Sequence, residues 1–246
     1  MTTIEIDGVS ADGAAFAEAT SPYGHFTAMQ VRGGRTRGLE LHLRRLASAN
    51  REAFDADLDG ERVRALIRHA LGDTRDASVR VYIHERSPEP AIAVTVEPPA
   101  EMATPQRLRS VRYQRPDAHR KHVHTEQGGY RELAHRDGFD DALLTGPDGL
   151  VCETSMANIG FLDPSGVVWP DAPMLHGITM QLLEEALPTR RTPVHLPDIA
   201  SFDGAFLSNA RGIGVVSCVD DDRLPIPAAR MRELIDAYAS VPWETI

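Results

Sequence analysis

The chain reads as a mixed α/β (α+β) protein built as two unequal domains. Three observations carry this: strand-like and helix-like periodicities alternate along it, a Pro-rich stretch divides it, and its composition is that of a globular chain. Its 246 residues suffice for two domains, each with a buried core. Hydrophobic residues make up 42% and charged residues 25%, and no apolar run approaches the roughly 18 residues a membrane span needs, so no membrane contact is expected. The formal charge of −10 would repel a phosphate backbone, which argues against nucleic acid as a partner.

The elements follow in order. Residues 24–32, GHFTAMQVR, form a strand that ends in a Gly33-Gly34 turn. From Leu39 to Phe54, apolar side chains recur at Leu39, Leu43, Leu46, Ala47 and Phe54 with helical spacing. A second helix runs from Glu61 to Leu71 behind Asp59 as N-cap, with Val63, Leu66, Ile67 and Ala70 on one face. Strands at 78–83 and 91–96 close a small N-terminal domain, residues 1–98. The segment Glu97–Pro105 holds three prolines in nine residues, which favours an extended connector, so 99–105 is taken as the linker.

Residues 106–246 form the larger, β-rich C-terminal domain. Its elements are a strand near 108–113, a helix near 130–136, a hairpin around the GPDG turn at 146–149, and a helix at 178–187. Strands at 205–208 and 214–219 and a helix at 228–238 complete it. Two cysteines, Cys152 and Cys218, do not make a disulfide framework, and the opening MTTIEIDGVSADG has neither a basic nor an apolar targeting segment. A cytoplasmic location is expected.

The 26 basic residues are 25 arginines and one lysine, Lys121. A bias towards Arg explains the arginines. A primary amine does what guanidinium cannot: it loses its proton and attacks a carbonyl to form a Schiff base.

Four blocks surround this lysine in order: LHLRRLASAN at 41–50, the lysine itself, GFDDALLTGPDGLVCETSMANIGF at 138–161, and the Gly177-Ile178-Thr179 turn with the later FLSNARGIGVV at 206–216. Together, over about residues 24–220, they resemble the class IV aminotransferases, the fold-type IV pyridoxal-phosphate enzymes that include branched-chain and D-amino-acid transaminases and aminodeoxychorismate lyase. The resemblance implies a two-domain fold-type IV enzyme with pyridoxal 5′-phosphate as cofactor and an amino acid as substrate, assembled as a homodimer.

Read through that resemblance, Lys121 is the Schiff-base lysine and catalytic proton carrier. Glu153 faces the pyridine nitrogen and keeps it protonated. Arg45, in the His-x-x-Arg-Leu pattern at 42–46, offers a rigid fork to the phosphate. Ile178 and Thr179 open a helix whose N–H groups and dipole suit an anion, and Asn209 and Ala210 supply further phosphate contacts. Tyr23, Gln30 and Arg32 are candidates for the substrate carboxylate.

The match is not complete. The interval from Lys121 to Glu153 is short for the family, the nearest following tyrosine is Tyr130, the usual Arg after Gly-Ile-Thr is Met180, and the usual Phe-Glu-Gly reads Phe26-Thr27-Ala28. A PLP-dependent transaminase of unassigned substrate ranks first. The alternative is 4-amino-4-deoxychorismate lyase, which makes 4-aminobenzoate and pyruvate. The Ser208-Asn209-Ala210 run resembles that lyase, whereas Ala28 replaces its second threonine. Two further readings rank lower: a cofactor-free fold relative, and a His-rich metal site built from His119, His122 and His124, which no spaced carboxylate or cysteine completes. No metal is therefore expected.

Overall fold

A computed structural model describes residues 2–20, 23–86, 89–123 and 126–246. The chain folds as two compact units that interleave in sequence: residues 1–100, 120–124 and 242–246 form one, and residues 101–119 and 125–241 the other.

In the first unit, the elements in chain order are β1 (Thr3–Ile6), β2 (Val9–Ser10), α1 (Gly13–Ala19), β3 (Gly24–Val31), β4 (Arg35–Arg37), α2 (Leu39–Phe54), α3 (Gly60–Leu71), β5 (Ala77–His84) and β6 (Ala91–Glu97). Five strands make an antiparallel sheet in the order β2-β1-β6-β5-β3. Successive side chains of a strand point to opposite faces, so β3 is two-sided. His25, Thr27, Met29 and Val31 are buried, whereas Phe26, Ala28 and Gln30 are half-buried on the other face. Met29 and Val31 join Leu46 of α2, Val63 and Ile67 of α3 and Val81, Ile83 and Val94 of the sheet in one apolar core. The α3 N-terminus is capped as its sequence predicts, the Asp59 side chain accepting from the Glu61 N–H at 2.9 Å.

The second unit contains β7 (Gln106–Arg112), α4 (Gln127–Arg136), β8 (Asp141–Thr145), β9 (Val151–Thr154), β10 (Asn158–Asp163), β11 (Gly166–Pro170), α5 (Ile178–Ala186), β12 (Thr189–Thr192), a 3₁₀ turn at Leu196–Ser201, β13 (Gly204–Asn209), β14 (Gly212–Val219), β15 (Asp222–Arg223) and α6 (Ala228–Ser240). Its main sheet runs β12-β11-β10-β13-β14-β7-β8-β9, with β7 parallel to both neighbours. Both faces are covered. Leu143, Ile159, Phe161 and Leu207 fill one core, and Trp169, Phe206, Met180, Leu183 and Leu234 fill another beneath α5 and α6. The GPDG turn closes β8 onto β9, and Gly149 stands at φ 82, a conformation a side chain disfavours.

A last strand, β16 (Trp243–Thr245), pairs with β4 and belongs to the first unit. It sets the start of α2. Gly38 precedes that helix in the left-handed region and α2 has no side-chain cap from its own residues; instead the Leu39 N–H donates to Glu244 Oε1 at 3.0 Å. The Arg37 guanidinium lies 4.0 Å from the Trp243 ring centroid, and Ile246 is buried in the core with α3.

Replacing Glu244 by Ala should therefore lower stability by about 1 kcal/mol in chemical denaturation, the usual effect of losing an N-terminal cap, with Gln retaining most of it. An unchanged midpoint for Glu244→Ala would contradict this role.

Candidate active site

The first unit gathers one set of site residues around Lys121. Residues 120–123 lie alongside β3: the Phe26 N–H donates to the Lys121 carbonyl at 2.9 Å, and the Val123 N–H to the Gly24 carbonyl at 3.0 Å. Alternation along β3 then presents the Phe26 ring to the lysine, whose Nζ is 4.8 Å from the ring centroid. On the buried face of β3, Thr27 Oγ1 and His42 Nδ1 are hydrogen bonded at 2.6 Å.

His42 is pushed down to about 3, first by burial and then by the positive charges of Arg45 and Lys121. No carboxylate is among the groups that set its protonation. Arg45 lies one turn of α2 beyond His42, half-buried, and burial brings its guanidinium down to about 10, while the adjacent Arg44 is exposed.

The second unit gathers the rest. Glu153 lies on β9, all four residues of which are buried. Its Oε1 accepts from Arg115 Nε at 3.0 Å and pairs with Arg115 Nη2 at 2.9 Å, while Oε2 accepts from the Leu175 N–H at 3.2 Å. Arg115 is itself buried and also donates to the Ala118 carbonyl.

At the start of α5, Gly177 is the N-cap residue and makes no side-chain cap; a Cβ there would overlap Asn158 Oδ1. The glycine lets the helix end approach β10. Thr179 Oγ1 donates to the Asn209 carbonyl at 2.7 Å, and the Asn209 side chain donates to the Met156 carbonyl and accepts from the Arg211 N–H. Ala210 follows at the end of β13, half-buried. Lys121 and Arg45 thus belong to the first unit, and Glu153, Ile178, Thr179, Asn209 and Ala210 to the second.

The candidates for the substrate side separate. Tyr23 is exposed, with its hydroxyl 2.8 Å from His122 Nδ1. Gln30 donates to Ser78 Oγ at 2.6 Å and accepts from the Ala100 N–H and from Arg32, which also holds the Val31 carbonyl. Gln30 and Arg32 serve local structure.

Sequence reading passed over Arg80 and Tyr82 of β5, which register opposite Ala28 and Phe26. Tyr82 stacks on Phe26 at 5.3 Å, and Arg80 pairs with Glu97 at 2.6 Å. The alternation along β5 marks its two faces, but its long-range pairing with β3 leaves no local signal. Of the histidines weighed for a metal, His122 bonds Tyr23 and His124 lies outside the described residues; among the described residues no group of three or more His, Cys, Asp or Glu could hold a metal ion.

Comparison with known proteins places this arrangement. The fold is shared with a fold IV transaminase, CpuTA1, from Curtobacterium pusillum (20% identity, 98% of this chain and 99% of that one, TM-score 0.81). A hypothetical aminotransferase from Mycobacterium tuberculosis in a PLP-bound form shares it as well (20% identity, 98% and 99%, TM-score 0.82). So does a candidate 4-amino-4-deoxychorismate lyase from Legionella pneumophila (18% identity, 89% and 91%, TM-score 0.78). No curated protein sequence matches. The model of the amino-transferase class IV family matches residues 24–218, and the chain belongs to that family of pyridoxal-phosphate enzymes. No helix among the described residues is long and apolar enough to cross a membrane.

The groups present fit that cofactor. A phosphate dianion suits a region where Arg45 and Lys121 both act on His42, and it suits an uncapped helix start. A protonated pyridine nitrogen suits a buried carboxylate held by Arg115 and the Leu175 N–H.

Two outcomes follow. Replacing Arg115 by Met leaves Glu153 buried without its cation and should cost about 3–5 kcal/mol in urea unfolding, most of it recovered when Glu153 is also replaced by Leu. Equal losses in the single and double variants would contradict the pairing. The second outcome concerns acid. His42 and His25 are both held below their ordinary 6.5, at about 3 and about 4. Below pH 6.5 the unfolded chain binds protons that the folded chain refuses, so stability falls with pH from 6.5 towards 4, by up to about 1.4 kcal/mol per unit for each histidine. His42→Gln should remove about half of that slope.

Proposed function

We propose that the chain is a PLP-dependent transaminase acting on an amino acid, with Lys121 as the catalytic residue. Two observations carry the reading: in the first unit the chain's one lysine amine lies beside Phe26, and in the second a buried carboxylate is fixed by Arg115. The bound cofactor supplies an electron-withdrawing ring that stabilises negative charge on the substrate's α carbon.

Each residue then has a task its side chain can perform. Lys121 Nζ would hold the cofactor through its aldehyde and, as a free amine, would carry the proton at the substrate's α carbon. Glu153 holds the pyridine nitrogen in its protonated form, and Arg115 keeps that carboxylate oriented and ionised. Arg45 and the backbone N–H groups of Ile178, Thr179, Asn209 and Ala210 would hold the phosphate. His42, neutral across the physiological range, fixes the first turns of α2 to β3 through Thr27 and so orients Arg45.

The lyase remains a second reading because the Ser208-Asn209-Ala210 run resembles that enzyme. Buried free Cys152 and Cys218 accord with a cytoplasmic location. Family resemblance supports a homodimer, which sedimentation at micromolar concentration with cofactor bound would show.

Borohydride reduction of the cofactor-loaded protein should fix the label on Lys121, and Lys121→Ala should abolish activity while keeping part of the cofactor affinity through the phosphate contacts. Label found only on the N-terminal amine would sink the assignment. Transaminase and lyase part in a single turnover with L- and D-amino acids and no keto-acid acceptor. Conversion of the cofactor to its amine form supports the transaminase. No conversion, with aminodeoxychorismate yielding 4-aminobenzoate and pyruvate, supports the lyase.

A further inference from the structure

Ser208, like Trp169, is a buried polar side chain of the second unit with an orphaned polar atom. It is 1% exposed, and its hydroxyl has no hydrogen-bond partner. A buried hydroxyl without a partner is costly, and nearly all buried polar atoms find one, so an orphan of this kind asks for an explanation.

Its direction is fixed by the sheet. In the β10–β13 ladder Ser208 stands opposite Asn158, and directly opposed residues share a face. Asn158 Oδ1 occupies the space where a Gly177 Cβ would go, which puts that face against the start of α5. Two residues back along β13, Phe206 lies on the same face and packs in the core with Met180 and Leu183 of α5. The Thr179 hydroxyl bonds the Asn209 carbonyl, bringing the first turn of α5 against the end of β13 that carries Ser208. The orphan hydroxyl therefore looks onto a nine-residue helix whose N-terminus has no side-chain cap.

We infer that Ser208 completes the anion site at the start of α5 by donating its hydroxyl proton to a phosphate-ester oxygen held there. The inference rests on the cofactor reading above and adds a ligand to it: the family resemblance assigns the phosphate to Thr179, Asn209 and Ala210, not to Ser208. The hydroxyl is a donor, the helix start offers N–H donors, and a phosphate oxygen accepts from both.

The test compares pyridoxal 5′-phosphate with pyridoxal, which lacks the phosphate, by equilibrium binding to the intact protein. Ser208→Ala should raise the dissociation constant for pyridoxal phosphate about tenfold and leave that for pyridoxal within about twofold. Because the substitution also deletes an unsatisfied buried group, the cofactor-free variant should melt at the same temperature as the wild type or higher. Ser208→Cys, close in size with a weak donor, should fall between. Equal weakening of both ligands, unchanged affinity for pyridoxal phosphate, or a lower melting temperature without selective loss would each overturn the inference. Thr179→Val separates it from the reading beneath it. If Thr179→Val loses the preference for the phosphorylated ligand and Ser208→Ala keeps it, Ser208 alone is refuted. If the wild type shows no such preference, the anion site itself fails and Ser208 with it.

Discussion

Charge removed from water is the constraint on which the site depends. Glu153 sits within a strand whose every residue is buried, and an unpaired carboxylate there would shed its charge by binding a proton. Arg115, equally buried, makes two guanidinium contacts to one oxygen, which favour the charged form, and the Leu175 amide donates to the other. The second unit is organised around this pair. The GPDG turn returns β9 so that Glu153 registers against Leu144, and the segment after β7 carries Arg115 back to it. Such a pair adds little net stability compared with apolar side chains of similar size.

The first unit answers the same constraint with opposite sign. His42 meets burial and two neighbouring cations by staying neutral, and as a neutral ring it bonds Thr27 and ties α2 to β3. The helix carrying Arg45 receives its N-terminal cap from Glu244, about 200 residues away in sequence, so its placement depends on the return of β16 to the first unit.

Much of this was legible in the sequence. The α2 helix, at Leu39–Phe54, spans the residues its apolar spacing marks, and the Asp59 cap of α3 follows from residue type alone. Lys121 stands out because arginine fills every other basic position, and Glu153 because a turn motif fixes its strand. What escaped has physical causes. Arg115 gives no local signal, because only the burial of a carboxylate 38 residues away makes it necessary. The helix α4 begins at Gln127, ahead of the expected Tyr130, since Gly128 and Gly129 lower local propensity without preventing the turn. Trp243–Thr245 is too short to show alternation and is a strand only because β4 offers it an edge. Arg80 and Tyr82 came to the Phe26 side through strand pairing, which a single strand's pattern does not reveal.

The central claim is that Glu153, held ionised by Arg115, keeps the cofactor's pyridine nitrogen protonated. Nitrogen-15 magnetic resonance of ring-labelled pyridoxal 5′-phosphate bound to the protein measures that proton directly. The account predicts a protonated-nitrogen shift in the wild type, independent of pH through neutrality, and an unprotonated shift in Glu153→Gln. An unprotonated nitrogen in the wild type, or a protonated one that survives Glu153→Gln, would contradict it.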